Sequence, residues 1–500
     1  MLKCHEASQE VQNCNQMDLK NLEKGHGTCP VCGNEAKLRC AGCKIIYYCS
    51  QDHQRKDWTK HKSSCNNIWK VESNDELGRH LIATRDIDID DLILSELPLT
   101  WGPSIHSDLR ICVGCGNKNI AARCPGCSWY ACKLSCDGLV DDNRHAIECK
   151  LFSKTRIIPR CDILLPLRMI IMKIRNPKKW KILSSLQSHE NLRENGTDAY
   201  EEDEIISQNL KPILNIFGID RNVLTKICGL IDVNGLETNP PEGSIGIYQN
   251  ACLLEHQCVS NTRHFFTLDD KGRPKIIIKA ARKIKKGEHL STTYTHVLWT
   301  TKSRREHLLA TKYFKCKCKR CEDPTELDTH IGTLKCPCGP GIILPKNPLD
   351  DETEWSCNLC PGILSSLEVQ ELNERLENEV DKTMSLAIKD RLSDLLSRLE
   401  ILLHPGHQHC IAVGHSLIQL LPSSDSKKSQ ICKQILRTTS ILDPHGSRLA
   451  LYIAVALHEL SKCPDENSEQ HIKRGIDLLK YEPVDSPGYK FKKILENELN

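Results

Sequence analysis

Residues 29–65 read CPVCGNEAKLRCAGCKIIYYCSQDHQRKDWTKHKSSC, and their spacing decides how the rest of the chain is read. Metal-binding residue types fall at Cys29, Cys32, Cys40, Cys43, Cys49, His53, His61 and Cys65. The intervals between them are 2, 7, 2, 5, 3, 7 and 3 residues. A second stretch, residues 112–149, places Cys112, Cys115, Cys124, Cys127, Cys132, Cys136, His145 and Cys149 at intervals of 2, 8, 2, 4, 3, 8 and 3. One motif is used twice, with aromatic pairs (Tyr47-Tyr48, Trp129-Tyr130) before the fifth ligand of each. Eight ligands make two tetrahedral zinc sites, and a closed shell of four points to a structural role. A cross-braced pairing gives one ion to ligand pairs one and three, and the other to pairs two and four. Disulfides or free core thiols are the plainer alternative, but chance does not readily repeat such a spacing.

The chain has 500 residues, 29 of them cysteine, and a formal net charge of +3. That length implies several domains. So small a net charge gives no field that argues for nucleic-acid or membrane binding. No apolar run reaches the roughly 18 residues of a membrane span. The segment MLKCHEASQEVQNCNQMDLK lacks a basic-then-apolar leader. The expectation is a monomer in the cytoplasm and nucleus, where thiols stay reduced and serve as metal ligands.

Further ligand pairs lie downstream. Cys336, Cys338, Cys357 and Cys360 form a CxC and a CxxC joined by a loop, and are expected to hold one zinc ion. Cys316, Cys318 and Cys321 supply only three ligands. Cys4, Cys14, Cys161, Cys228, Cys252, Cys410, Cys432 and Cys463 stand outside the clusters and are expected to hold no structural metal.

The stretch LGRHLIATRDIDIDDLILSELPLTW, residues 77–101, alternates apolar and polar residues as short strands do. PKIIIKAARKI, residues 274–284, reads as a strand after the turn DDKGRP. Residues 150–245 read mostly as helix, with LQSHENLRENGTDAYEEDE (186–204) as a polar loop. From about residue 365 the 3.6-residue period runs through LEVQELNERLENEVDKTMSLAIKDRLSDLLSRLEILL until LHPGH breaks it, and more helices follow.

Residues 29–65 resemble a MYND zinc finger, with His53 where that family has cysteine, and residues 112–149 resemble a looser version. Gly78-Arg79-His80-Leu81 is similar to the GRGL loop of SET domains. Glu255-His256-Gln257-Cys258-Val259-Ser260-Asn261 falls on their N-H-S-C-x-P-N motif, and Gly287-Glu288-His289-Leu290 with Ser291 to Tyr294 on GEEL-x-x-x-Y. KYFKCKCKRC (312–321) matches the cysteine-rich post-SET segment. A SET domain split by a MYND finger, with a helical tail, is the layout of the SMYD family of protein-lysine methyltransferases. The likeness covers roughly residues 29–440, and the doubled finger resembles the arthropod SmydA/Msta branch.

The resemblance implies an α+β fold: a split SET β-fold with MYND-type fingers, a helical insert, a post-SET segment and a TPR-like helical domain. Its expected bounds are 1–28 flexible, 29–65 first finger, 69–111 SET N-terminal half, 112–149 second finger, 150–245 helical insert, 246–299 SET core, 300–362 post-SET zinc region and 363–500 helical domain. It makes Cys258 the fourth ligand of Cys316, Cys318 and Cys321, for up to six zinc ions in all. It makes S-adenosyl-L-methionine the cofactor. Arg79, His80, Asn234, Glu255, His256, Tyr294 and Phe314 would contact it, and Tyr294 would be catalytic. Partners would be a protein substrate with a target lysine and MYND-binding proteins, some Pro-rich.

His80 replaces a glycine that lets backbone approach the cofactor. Glu255 replaces an amide, and a carboxylate only accepts hydrogen bonds. The resemblance therefore implies two functions to weigh: lysine methyl transfer to histone or non-histone proteins, or a catalytically weak zinc scaffold in protein interaction or transcriptional repression.

Overall fold

The computed structural model describes residues 27–40, 46–62, 65, 68–104, 110–142, 144–484 and 486–499. The expected flexible segment 1–28 falls almost wholly outside them, as do Cys4, Cys14 and Cys43. The chain divides into two compact units. One holds Met1–Ile89 with Lys283–Leu290, the other Asp90–Arg282 with Ser291–Asn500.

In the first unit the finger has short strands Gly27–Thr28 and Glu35–Ala36 paired antiparallel, then Leu38–Arg39 with Tyr47–Tyr48. Helix Gln51–His61 starts at Ser50, whose hydroxyl accepts from the His53 N–H at 3.2 Å. So small a module has little apolar core. Tyr47, Tyr48 and Ala36 cluster with Cys29, Cys40 and Cys65. The hairpin Trp69–Asn74 and Gly78–Ala83 follows, its turn made by Asn74 accepting from the Glu76 and Leu77 N–H groups and by Gly78 at φ +63°. The distant segment 283–290 pairs with that hairpin: Gly287 N–H donates to Ala83 O and Leu290 N–H to Leu81 O, both at 2.8 Å.

The second unit is built on several small sheets. Strands Thr262–Leu268, Pro274–Ala280 and Leu92–Glu96 form an antiparallel sheet; Leu236–Thr238, Ser244–Ile247 and Thr100–Pro103 form another. Glu255–His256 and Ser291–Thr292 pair in parallel. Helix Cys161–Arg175 packs on strand Thr100–Pro103 and on helices Asp198–Phe217 and Arg221–Asn234, with Ile163, Leu164, Leu165, Leu167, Met169 and Ile170 fully buried. A four-stranded sheet, Leu334–Lys335, Ile342–Pro345, Trp355–Cys357 and Ile363–Leu364, carries the last cysteine cluster. Seven helices complete the chain among the described residues, from Ser366–Met384 to Pro487–Leu499, each packed on the next.

Three expectations are corrected. The polar stretch 186–204 is not all loop: helix Asp198–Phe217 takes its second half, because Thr197 caps the Tyr200 N–H and Asp198 and Glu201 sit in the positive first turn. The helical insert ends at Asn234, and strands Leu236–Thr238 and Ser244–Ile247 follow within the expected span. The long period after residue 365 is two helices, Ser366–Met384 and Lys389–Leu402, because the chain turns at Ala387 with φ +49°.

Candidate functional site: zinc centres and a SET pocket

The metal ligands are gathered by the turns that carry them. Cys29, Cys32, Cys49 and His53 bring their ligand atoms within 4.8 Å of one another. So do Cys112, Cys115, Cys132 and Cys136; Cys124, Cys127, His145 and Cys149; Cys258, Cys316, Cys318 and Cys321; and Cys336, Cys338, Cys357 and Cys360. Cys40 Sγ lies 3.4 Å from both Cys65 Sγ and His61 Nε2, and their expected partner Cys43 lies outside the described residues. The grouping is cross-braced in the second finger.

Sulfur–sulfur separations run from 3.4 Å (Cys40–Cys65) to 3.9 Å (Cys258–Cys316). A disulfide needs about 2.05 Å. A tetrahedral ion with Zn–S near 2.3 Å sets sulfurs about 3.8 Å apart. Thiolate and imidazole are the donors zinc prefers. The hydrogen bond from Cys115 holds the Cys112 thiol down to about 4 against burial, favouring the thiolate that metal requires. Gly341 is packed so closely that a Cβ there would stand 2.4 Å from Cys357 Sγ and 2.6 Å from Cys338 Sγ. The donor chemistry and this cage fit zinc.

Outer partners hold these ligands. His145 Nδ1 lies 2.8 Å from Glu148 Oε1, which leaves Nε2 facing Cys127 Sγ at 3.3 Å. Arg168 clamps the same carboxylate through Nε and Nη2, each at 2.9 Å, and reaches the Trp101 and Val113 carbonyls. Burial raises the Glu148 pKa, but Arg168 and His145 outweigh it and leave the carboxyl below its usual range. At Cys258, buried Arg304 donates Nε to Cys258 Sγ (3.2 Å) and Nη2 to Cys321 Sγ (3.4 Å). A dication among four thiolates would leave two negative charges; this guanidinium, which also pairs with Glu326 at 2.7 Å, offsets only part of them. Sequence reading missed Glu148, Arg168 and Arg304. Only His145-x-x-Glu148, an i, i+3 pair at a helix start, left a local signal.

The parallel pairing of Glu255–His256 with Ser291–Thr292 brings His256 beside Tyr294. The Tyr294 N–H donates to His256 Nδ1 at 3.0 Å. That fixes the neutral tautomer with its proton on Nε2, 3.4 Å from Cys258 Sγ. Burial pushes the His256 pKa down to about 4, which suits that tautomer. The Tyr294 hydroxyl donates to the Leu254 carbonyl, leaving the phenol's lone pairs free to accept. Burial also raises its pKa, so the phenol is neutral. Phe314 is 37% exposed, its ring 5.9 Å from that of His256.

Asn234 is buried at the end of helix Arg221–Asn234. Its amide nitrogen donates to Gln187 O (2.7 Å) and Leu230 O (3.0 Å). Both donors are spent inside the fold, so toward a ligand only the amide oxygen remains. Lys312 Nζ donates to the Asp232 and Val233 carbonyls at 2.8 and 2.9 Å, tying that helix end to the segment before Phe314. Glu255 is half-buried and accepts from Gln257 Nε2 at 3.2 Å.

Arg79 and His80 belong to the first unit. Arg79 is exposed. His80 is 2% exposed, its Nδ1 lies 3.0 Å from Gly78 O, and its ring stacks on His289 at 4.6 Å. Its imidazole is thus part of the first unit's packing.

Residues 29–65 match the MYND finger family, and residues 78–295 match the SET domain family. The Drosophila melanogaster SET domain-containing protein SmydA-8, isoform B, is 28% identical over 352 residues, covering 65% of this chain and 74% of that protein. The human histone-lysine N-methyltransferase SMYD3 is 23% identical over 296 residues, covering 58% of this chain and 50% of that protein. The crystal structure of the SET domain of LSMT bound to lysine and AdoHcy aligns over 89% of this chain and 91% of that one, at 11% identity and a TM-score of 0.34. Ligand sets suited to zinc, and a pinned tyrosine beside a post-SET thiolate cluster, accompany the SET-domain match. The chain thus carries a MYND finger and a SET domain, and is similar to proteins of the SMYD and SmydA kind.

Proposed function

We propose that this chain is a protein-lysine N-methyltransferase using S-adenosyl-L-methionine, with Tyr294 as its catalytic residue. The observation that carries this is the Tyr294 phenol, whose proton is committed to the Leu254 carbonyl while its backbone is held by His256. When bound, S-adenosylmethionine supplies a sulfonium-activated methyl group. A lysine amine must lose its proton before it can attack, and in water its pKa is about 10.4. The half-buried site around Tyr294 favours the neutral amine by desolvation. The phenol oxygen can only accept, so it orients an amine N–H and aims the nitrogen's lone pair at the methyl carbon. Tyr294 is a neutral phenol and does not act as the base. Asn234 Oδ1 is an acceptor for the cofactor's ammonium, and Phe314 offers an exposed ring to adenine.

The donor sets would hold up to six zinc ions, the sixth resting on the expectation that Cys43 joins Cys40, His61 and Cys65. The post-SET ion would fix Cys258, and through it His256 and Tyr294. The protein would act as a monomer in cytoplasm and nucleus, with the fingers meeting partner proteins, some Pro-rich. The thiolate clusters support a reducing compartment.

Thermal shift with S-adenosylmethionine tests cofactor binding, since a ligand of the folded state raises the melting temperature. Methyl transfer to lysine-bearing protein, lost in Tyr294→Phe, tests the chemistry. Glu255 favours a second reading, a zinc scaffold that turns over weakly, because a carboxylate there cannot donate as an amide would. A melting shift with no transfer, unchanged by Tyr294→Phe, is the result expected of that scaffold.

A further inference from the structure

The second finger carries a cleft of about 540 Å³ between its Ser128–Tyr130 turn, helix Ala146–Thr155 and the segment after that helix. Three cations line it: Arg123, Arg156 and Arg160. No carboxylate does. Arg160 is paired with nearby Asp162 at 2.9 Å, and Arg123 lies over the Tyr130 ring at 4.6 Å while donating to Ser128 O. Arg156, held at φ +57° as the C-cap of the helix, is exposed and has no ion-pair partner among the described residues. The apolar part comprises Trp129, Phe152 and Ile158, the last 80% exposed.

Trp129 supplies an independent sign of an occupant. It is 5% exposed, and its indole Nε1–H is buried with no hydrogen-bond partner. A buried donor left unsatisfied costs about 1–3 kcal/mol. The orphan belongs to a residue lining the cleft but is itself closed to solvent, so a small shift of the ring would bring it to an acceptor oxygen in the cleft.

We infer that this cleft docks an acidic segment of a partner protein: carboxylates against Arg123, Arg156 and Arg160, a carbonyl or carboxylate oxygen on the Trp129 indole, and one bulky apolar side chain beside Phe152 and Ile158. Guanidinium forks match carboxylates in pairs, which gives such a segment direction as well as charge. Nucleic acid is the poorer match. A net charge of +3 over 500 residues leaves no extended basic track for a phosphate backbone. The inference does not rest on methyl transfer, so either can fail alone.

The test uses the full-length, zinc-loaded chain and fluorescence anisotropy. The probe is a labelled peptide in which aspartates and glutamates flank one leucine. The comparison probes are its asparagine/glutamine counterpart, a neutral Pro-rich peptide and an oligouridylate RNA. The acidic peptide is expected to bind about tenfold more tightly than its amide counterpart, or better, and to weaken as salt rises. Arg123→Gln with Arg156→Gln should weaken it about tenfold at unchanged zinc content, and Trp129→Phe severalfold. Should Trp129→Phe disturb folding, the arginine pair still decides, since Arg123 and Arg156 are both exposed. Equal binding of the acidic, amide and Pro-rich peptides overturns the inference. So does binding indifferent to the two arginines, or an RNA affinity above that of the acidic peptide.

Discussion

His256 Nδ1 accepts the backbone N–H of Tyr294 at 3.0 Å, while the opposite ring nitrogen faces the zinc-cluster sulfur of Cys258 at 3.4 Å. One imidazole thus spans the distance between a structural metal set and the residue assigned to catalysis. Its neutral tautomer is required twice over, as acceptor toward Tyr294 and as donor toward the thiolate.

His256→Ala should therefore lower kcat at least tenfold with S-adenosylmethionine KM little changed, because it frees the Tyr294 backbone without touching cofactor contacts from other elements. The unsatisfied Tyr294 N–H should cost about 1–3 kcal/mol of stability. His256→Asn, whose oxygen can take the Nδ1 acceptor position, should recover part of kcat. Steady-state kinetics on both variants, with zinc content measured alongside, decide it. Identical losses in Ala and Asn would show that the hydrogen bond is not what matters.

Gly341→Ala should expel the last zinc ion. A Cβ placed 2.4 Å from Cys357 Sγ and 2.6 Å from Cys338 Sγ cannot coexist with four thiolates around one ion. Elemental analysis should read one zinc fewer per chain, with the finger ions retained. An unchanged count would mean that the loop from Cys336 to Cys360 relaxes around the methyl group.

The metal framework was legible because CxxC and its relatives state a geometry locally: two ligands on one turn. Cys258 was legible only through the family motif, since nothing near it in sequence marks it as the partner of Cys316, which lies 58 positions on. Arg168 was not legible, because its link to Glu148 joins two helices 20 residues apart and depends on how they pack. The same holds for His80, an expected cofactor residue whose ring stacks on His289 across a pairing of distant segments. The helix beginning at Asp198 was hidden by polarity: its charged first turns look like a loop until Thr197 is recognised as their cap.

Glu148→Gln should weaken zinc at the Cys124, Cys127, His145, Cys149 set by about 10–100-fold, as is usual when a ligand histidine loses its outer carboxylate. It also leaves Arg168, whose side chain is 11% exposed, without its counter-charge, so stability should fall by about 3 kcal/mol. A chelator competition measures the first and denaturant unfolding the second. If Glu148→Gln released zinc no faster than the unaltered chain, the Glu148–His145 contact would be packing alone.

The C-terminal helices should carry a pH dependence centred on His407. This residue is 1% exposed and caps helix Gln408–Ile418, its Nδ1 accepting from the His409 N–H at 3.2 Å. Burial, with His409 and His404 close by, holds its pKa well below 6.5. In the unfolded chain the ring takes a proton near pH 6.5, whereas in the folded chain it cannot without losing the cap. Stability is therefore full above that value and is lost as pH falls below it, by about 1.4 kcal/mol per unit, or about 2 kcal/mol at pH 5. Thiolate protonation also destabilises the chain in acid, so the comparison must be with a variant of equal zinc content. His407→Asn keeps a capping acceptor that does not titrate. It should be less stable at pH 7 by about 1–2 kcal/mol because the ring's volume is lost, yet lose less between pH 7 and 5. Hydrogen exchange of residues 408–418 reads this helix alone, and parallel losses in the two proteins would remove His407 as the cause.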